Sequence, residues 1–298
     1  MRIFEFMCKY FRHPSKIWIK FVYISSPMLS DKLYLNLLFH HRFNRWINWK
    51  NPQTFNEKLQ WLKIFNRKPE YTIMVDKVKA KEWVAKCIGS EYVIPTLGVW
   101  NNPDEIDFEN LPNRFVLKCN HNSGKGMFIC KDKEKMDIEL IKKNLGKGLK
   151  ENYFIQNREW PYKDVPRKIL AEQYMEDETG LDLKDYKFFC FNGKPTIMLI
   201  SNERSKGVKF DYFDMDFKHL PFKQGGENFN GIIKKPETFE RMKDLAAILS
   251  KDIPQVRVDF YEINGNVYFG EMTFFDSSGL APFEPDEWDW KLGKMIEL

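Results

Sequence analysis

Gln255-Val256-Arg257-Val258-Asp259-Phe260-Tyr261-Glu262-Ile263-Asn264-Gly265-Asn266-Val267-Tyr268-Phe269-Gly270-Glu271-Met272-Thr273 carries the strongest structural signal in the chain. Apolar and polar residues alternate on both sides of Asn264-Gly265, the pattern of a β-hairpin. Its register decides its chemistry. A strict two-residue loop pairs 263 with 266, sets Asp259 against Gly270 and leaves Asp259 and Glu271 on opposite faces. A three-residue loop with Gly265 left-handed pairs 263 with 267 and sets Asp259 directly opposite Glu271. The second register gathers Val256, Val258, Phe260, Met272 and Phe274 on one apolar face and Arg257, Asp259, Glu271 and Thr273 on a polar one, so a three-residue turn at Asn264–Asn266 is expected. Opposed carboxylates repel unless a cation lies between them. Such an oxygen-rich set suits Mg²⁺, which also takes waters and substrate phosphates. Arg257 beside them can bind an anion or simply neutralise Asp259; the sequence leaves both open.

Upstream, the strand-like run Phe115-Val116-Leu117-Lys118-Cys119 enters Asn120-His121-Asn122-Ser123-Gly124-Lys125-Gly126. A lysine at a strand end followed by a Gly-containing loop suits a polyphosphate, because the loop offers backbone N–H donors and the lysine a compact charge. It is not a Walker loop, which requires Gly-x-x-x-x-Gly-Lys-Ser/Thr; a plain polar hairpin turn is the alternative. His121 has no partner at a metal-ligand spacing and reads as a hydrogen-bonding residue.

Further out, residues 53–88 read as helical: Thr54 and Glu57 have the capping-box spacing, Leu59, Leu62 and Phe65 recur on one face, and Asp76 is a candidate cap for a second helix carrying Val78, Trp83 and Val84. Short β-like runs begin near residue 113, at Arg114–Cys119, Met127–Cys130, Lys168–Gln173, Lys187–Phe191 and Pro195–Ile200, with a turn at Gly193. Helices are expected over 138–149 and Glu237–Ser250. The 298 residues, 43% hydrophobic and 16% aromatic, suffice for one large domain or two modest ones. No run of about 18 apolar residues predicts a membrane span, and the N-terminus lacks the h-region of a secretory signal. Five cysteines without a CxxC point away from a disulfide framework or zinc knuckle and toward a reducing cytosol. The net charge of +5 is concentrated in residues 1–50, with nine Lys/Arg against Glu5 and Asp31, so the body is near neutral and nucleic acid is not an expected partner. That segment mixes aromatic and basic residues at helical spacing, Ile17, Phe21 and Ile24 for example. It is a candidate for peripheral contact with the inner membrane or, alternatively, for a helix pair packed on the body.

With these residues in place, the chain resembles ATP-grasp enzymes, and within them the TupA-like branch linked to teichuronopeptide and surface-polysaccharide synthesis. The resemblance covers roughly residues 52–292. Its order is similar to that of D-alanine–D-alanine ligases: Asp76-Lys77 opening a helix, the Lys118 strand with the Ser123–Gly126 loop, a hinge at Ile169-Leu170-Ala171-Glu172-Gln173-Tyr174-Met175, then Arg257-x-Asp259 and Glu271-x-Thr273. The resemblance implies an α+β fold in which two α/β subdomains sandwich the nucleotide. The expected division is a basic helical segment over 1–52, a helical region over 53–112 and the catalytic region over 113–298, split into a nucleotide-lid part (113–185) and a metal-binding part (186–298).

It also implies ATP and Mg²⁺ as cofactors. Lys77, Lys118, Ser123, Gly124 and Gly126 would bind phosphates; Glu172, Tyr174 and Met175 would read adenine, largely through the backbone; Asp185, with Glu178 as alternative, would bind ribose, with Lys187 beside it. Asp259, Glu271 and Thr273 would hold the metal, although Thr273 stands where relatives carry asparagine and a hydroxyl is the weaker ligand. Arg257 would steady the reaction intermediate and Arg204 would contact phosphate or substrate. The activity implied is a carboxylate–amine ligase, joining a small-molecule or glycan carboxylate to an amine in the cytoplasm. Alternatives are a sugar phosphotransferase of the same fold, a glycosyltransferase using Asp214-Met215-Asp216, and a membrane adaptor built on residues 1–50.

Overall fold

The computed structural model describes residues 19, 22–178, 183–202, 207 and 209–298. Its N-terminal part is helical: α1 (Asp31–Phe43), α2 (Phe55–Phe65), α3 (Glu70–Val75) and α4 (Lys79–Ile88). The expected capping box starts α2, with the Thr54 hydroxyl accepting from the Glu57 N–H and the Glu57 carboxylate from the Thr54 N–H. The amphipathic face of α2 then buries Phe55 and Leu59, and Phe55 packs edge-on against Phe191 and Phe283. Asp76 does not cap α4, whose N-cap is Val78. Its carboxylate instead accepts from the Val78 N–H, an Asx-type turn formed before the helix begins. Of the proposed membrane-facing trio, Ile17 and Phe21 lie outside the described residues and Ile24 is exposed. The later part of that segment packs on the body, α1 burying Leu35 and Phe39 beside Ile47.

Two antiparallel sheets follow. The smaller contains β1 (Thr96–Trp100), β2 (Phe115–Cys119), β3 (Phe128–Cys130) and β4 (Ile169–Gln173) in the order β1-β4-β2-β3. Phe115, Leu117, Ile169 and Ala171 form its core with Ile141 and Leu145 of α5 (Ile138–Leu149). Strand alternation therefore turns Val116, Lys118 and Glu172 to the other face, and the pairing Val116↔Glu172 sets Lys118 diagonally across from Glu172. Strand β1 lies inside the region expected to be helical over 53–112; its contacts with β4 join it to the sheet. Between β3 and β4 the chain also forms the short helix α6 (Tyr153–Asn157).

The larger sheet contains β5 (Asp185–Phe191), β6 (Lys194–Asn202), β7 (Lys209–Asp214), β9 (Gln255–Ile263) and β10 (Asn266–Thr273), ordered β10-β9-β5-β6-β7, while β8 (Lys223–Gln224) pairs with β11 (Phe283–Glu284). Helix α7 (Phe239–Leu249) covers its apolar face, where Phe188, Val258 and Phe260 are fully buried, and α8 (Glu287–Met295) packs near the C-terminus. The opposite face carries Asp185 and Lys187 in register with Tyr261 and Asp259.

The hairpin corrects the expected turn. Ile263 pairs with Asn266, so the loop has two residues, not three, with Asn264 (φ 51°) and Gly265 (φ 74°) both left-handed. Asn-Gly tolerates that conformation, and a turn of this kind matches the twist of the flanking strands. The register shift arises instead between Phe269 and Glu271, where Gly270 is the extra residue of a β-bulge, and Glu271 then faces Asp259. A Cβ at Gly270 would sit 3.1 Å from the Asp259 carbonyl oxygen, a tight contact that glycine avoids.

Candidate active site

The two sheets present their polar faces to a shared cleft, and α3–α4 close one side of it. Lys77, Lys118, Glu172, Gly270 and Glu271 all line one pocket there. Buried Asn120 at the end of β2 holds the Lys77, Lys118 and Glu172 segments together. Its amide donates to the Asp76 carboxylate and the Pro166 carbonyl (both 2.8 Å), and its oxygen accepts from the Lys168 N–H. One side chain thus ties the α3–α4 link to β2 and β4. Lys77 then donates its ammonium to the Asn122 carbonyl at 2.6 Å. Burial lowers the Lys77 pKa, partly countered by Glu271.

Glu172 contributes more than backbone. Its carboxylate pairs with Lys118 and, at 2.7 Å, with Lys81. Burial would raise its pKa, but the two lysines outweigh burial and hold it low. Lys81 had no place in the sequence reading. It stands in the first turn of α4, four residues after Lys77 in the turn before it, a spacing that could have shown it. In the loop after β2, Gly124 (φ 81°) and Gly126 (φ 70°) are left-handed, and a Cβ on Gly126 would meet the Cys119 sulfur at 2.8 Å. Ser123 lines the neighbouring cavity. His121 is buried against the Glu151 carbonyl, with burial lowering its pKa.

On the larger sheet Arg257 lies between the acidic residues. Its guanidinium donates to both Asp259 oxygens (2.7 and 2.8 Å), to Glu271 at 3.3 Å, to the Thr273 hydroxyl at 3.1 Å and to Asp276. Lys187 reaches Asp259 at 2.7 Å and Asp185 at 3.3 Å. Burial pushes the Asp259 carboxyl up; Arg257 first and Lys187 second reverse this and leave it below the usual range. The ion pair left open by the sequence is therefore formed, and it includes Glu271 and Asp276 as well. Glu271 is the one with water access, its side chain being 44% exposed. Asp185 is buried at the start of β5. Tyr174 stacks on Arg114, and the segment that follows is tied to the hairpin tip, the Asn264 N–H donating to Asp177 and the Asn264 side-chain oxygen accepting from the Glu178 N–H. Met175 between them is half-buried. Arg204 lies outside the described residues. Asp214 of the Asp-x-Asp triplet spends its carboxylate on the N–H groups of Asp216 and Lys218, which makes it a turn former.

The lowered Asp259 and Glu172 carboxyls predict an acid sensitivity. Each takes up a proton less readily folded than unfolded, so its stabilising contribution is complete above the ordinary carboxylate range. It is lost as pH falls through the depressed folded values. The Tm deficit of Glu172→Gln relative to the natural chain should therefore shrink between pH ~6 and ~3. A pH-independent deficit would contradict the ion-pair account.

Beyond Arg257 lies a second cavity of about 200 Å³, whose lining includes Lys77, Ser123, Tyr153, Glu159, Tyr162 and Ser278. The sequence reading assigned none of the last four: Tyr153, Glu159 and Tyr162 lie in one helical stretch between β3 and β4, and Ser278 joins them from a distant turn after β10.

Comparison with known proteins matches the chain to the family model described as TupA-like ATPgrasp, over residues 57–297. No curated protein sequence matches the chain. Among solved structures, D-alanine–D-alanine ligase from Helicobacter pylori is 18% identical with a TM-score of 0.45, over 81% of this chain and 69% of that one. The D-alanine–D-alanine ligase from Bacillus anthracis complexed with ATP is 17% identical, TM-score 0.40, over 68% and 55%. An ADP complex of N5-carboxyaminoimidazole ribonucleotide synthetase is 13% identical, TM-score 0.46, over 82% and 57%. The chain thus spans little more than half the length of two of these three proteins. The match to the family model extends over most of the sequence, and the chain belongs to the TupA-like ATP-grasp family.

Proposed function

We propose that this protein is an ATP-dependent carboxylate–amine ligase that forms an amide through an acyl phosphate, acting on a cell-surface polysaccharide or its precursor, with a uronic acid and an amino acid or amine as substrates. The observation that carries the reading is the convergence of Lys77 and Lys118 with Glu172 and Glu271 around one pocket, Arg257 and Asp259 adjoining it. Family membership supports the same chemistry.

In this reading Lys77 and Lys118 neutralise phosphate oxygens, Ser123, Gly124 and Gly126 close over them, Glu172, Tyr174 and Met175 flank the adenine, and Asp185 with Lys187 faces the ribose. Asp259 and Glu271 would hold Mg²⁺. Their oxygens converge on one guanidinium nitrogen of Arg257, at 2.8 and 3.3 Å, and this shared cationic partner supports reading the pair as a cation-binding set. Bound there, the metal supplies charge neutralisation at the transferring phosphate. Thr273 donates its hydroxyl to Glu271 at 3.1 Å and positions that carboxylate. The substrate carboxylate attacks the γ-phosphorus and the bond to the ADP oxygen breaks. The amine nitrogen then attacks the acyl carbon, phosphate leaves with the carbon–oxygen bonding pair, and the nitrogen loses its proton. Arg257 faces the charge that develops on the acyl oxygen, a role for which preorganised cations are suited.

ADP release measured against a panel of uronic acids and amino acids, with product masses, tests the assignment. With hydroxylamine as nucleophile the ligase is expected to yield a hydroxamate. ADP formation with a phosphorylated sugar and no hydroxamate would make it a phosphotransferase. The peripheral membrane role of residues 1–50 has its own test: equal recovery on anionic vesicles with and without that segment would exclude it. Among the described residues no helix is long and apolar enough to cross a membrane.

A further inference from the structure

The second cavity has a wall that the nucleotide reading does not use. Glu159 lines it and is only 4% exposed, yet the one hydrogen bond of its carboxylate among the described residues comes from the Ser278 hydroxyl. The nearest buried cation, Lys63, cannot serve it directly. The three N–H donors of Lys63 are spent on Gln60 Oε1 (3.0 Å), the Asn157 carbonyl (3.0 Å) and the Ser278 carbonyl (2.8 Å). A buried carboxylate with no ion pair is costly. Burial raises its pKa, and Lys63 offsets this only in part.

The adjoining backbone is strained. Ser277 (φ 48°), Ser278 (φ 56°) and Gly279 (φ 60°) are three consecutive left-handed residues, a conformation L-residues adopt at a cost. Gln60 holds them in place by donating to the carbonyls of Ser278 and Gly279. Lys63 and Gln60 thus act as struts for the turn that presents the Ser278 hydroxyl to Glu159. Such a conformation persists only where its surroundings hold it, and here they fix the Ser278 hydroxyl against Glu159.

We propose that Glu159 binds the ammonium group of the amine substrate, and that this substrate is a small α-amino acid. The inference rests on the ligase reading above. An ammonium supplies the charge that Glu159 lacks, while Arg257 and Lys77 on the same cavity face the anionic groups of the reaction, including the amino acid's own carboxylate. Before attack the bound ammonium gives one proton to the Glu159 carboxylate and becomes the free amine; Lys77 and Glu271 border both cavities and join this wall to the phosphate side.

The test is equilibrium binding to the full chain in the presence of Mg²⁺ and a non-hydrolysable ATP analogue, with the proteinogenic amino acids and their D-forms as probes. At least one amino acid should bind, and Glu159→Gln should weaken it tenfold or more while leaving the affinity for the analogue unchanged. Glu159→Asp should recover part of the loss, and affinity should rise with pH as Glu159 ionises. If Glu159→Gln fails to fold, Ser278→Ala, which removes the hydrogen bond and keeps the carboxylate, should change affinity and its pH profile in the natural fold. Binding of the analogue with no amino acid bound, or equal amino-acid binding by the natural chain and Glu159→Gln, overturns the proposal and leaves the nucleotide site standing. Failure of the analogue to bind would overturn the ligase reading itself.

Discussion

Glu271→Gln and Lys118→Ala should each cut ATP-dependent turnover about a hundredfold or more. Both act on charge placed before the reaction begins, and one such preorganised group is worth ~2.7–4 kcal/mol of barrier in well-studied sites. Neither change should unfold the protein. Glu271 is partly exposed and on the rim of the ion cluster, so loss of its charge leaves Asp259 paired with Arg257 and Lys187. Loss of Lys118 leaves Glu172 paired with Lys81 at 2.7 Å. ADP release measured beside Tm separates catalysis from stability. The two variants should also differ: Glu271→Gln should raise the Mg²⁺ concentration needed for half-maximal rate, and Lys118→Ala should chiefly weaken nucleotide binding. Full ADP release by both folded variants would refute the assignment of the cleft.

Arg257→Ala is expected to damage the fold as well as the reaction. The guanidinium is the shared partner of Asp259, Glu271 and Asp276, and two of these carboxylates are buried. Removing one member of a buried charge cluster leaves the others uncompensated, at a cost of about 3–5 kcal/mol. For a chain of this size that corresponds to a fall in Tm on the order of 10 °C. Arg257→Lys should lie between, because an ammonium keeps the charge and loses the planar fork that serves several acceptors at once. The deficit should narrow as pH falls, since protonated carboxyls no longer need the cation. A Tm unchanged from the natural chain would mean that water or Lys187 compensates the cluster. Arg257 would then be a substrate group only.

Much of this was legible along the chain. The β signals around Lys118 and Asp259, the capping box at Thr54 and the helix over 138–149 depend on neighbours in sequence, because side-chain alternation and capping are local effects. The opposition of Asp259 and Glu271 was also legible, though for the wrong reason. The sequence pattern required the two carboxylates to share a face, and a three-residue turn was the simplest way to meet that requirement. Asn264-Gly265 instead forms the tight turn its backbone preferences favour, and the shift moves four residues along to Gly270, which has no Cβ to block the bulge. The sequence by itself determined the family, the polar hairpin face and the lysine strand, all carried by short-range pattern and motif order. Only the tertiary structure decided that Lys81 shares Glu172 with Lys118, that Arg257 ties three carboxylates together, and that Glu159 and Ser278, 119 residues apart, close one wall of a cavity. Contacts of that kind follow from how two sheets and a helical layer dock, and no local spacing encodes them.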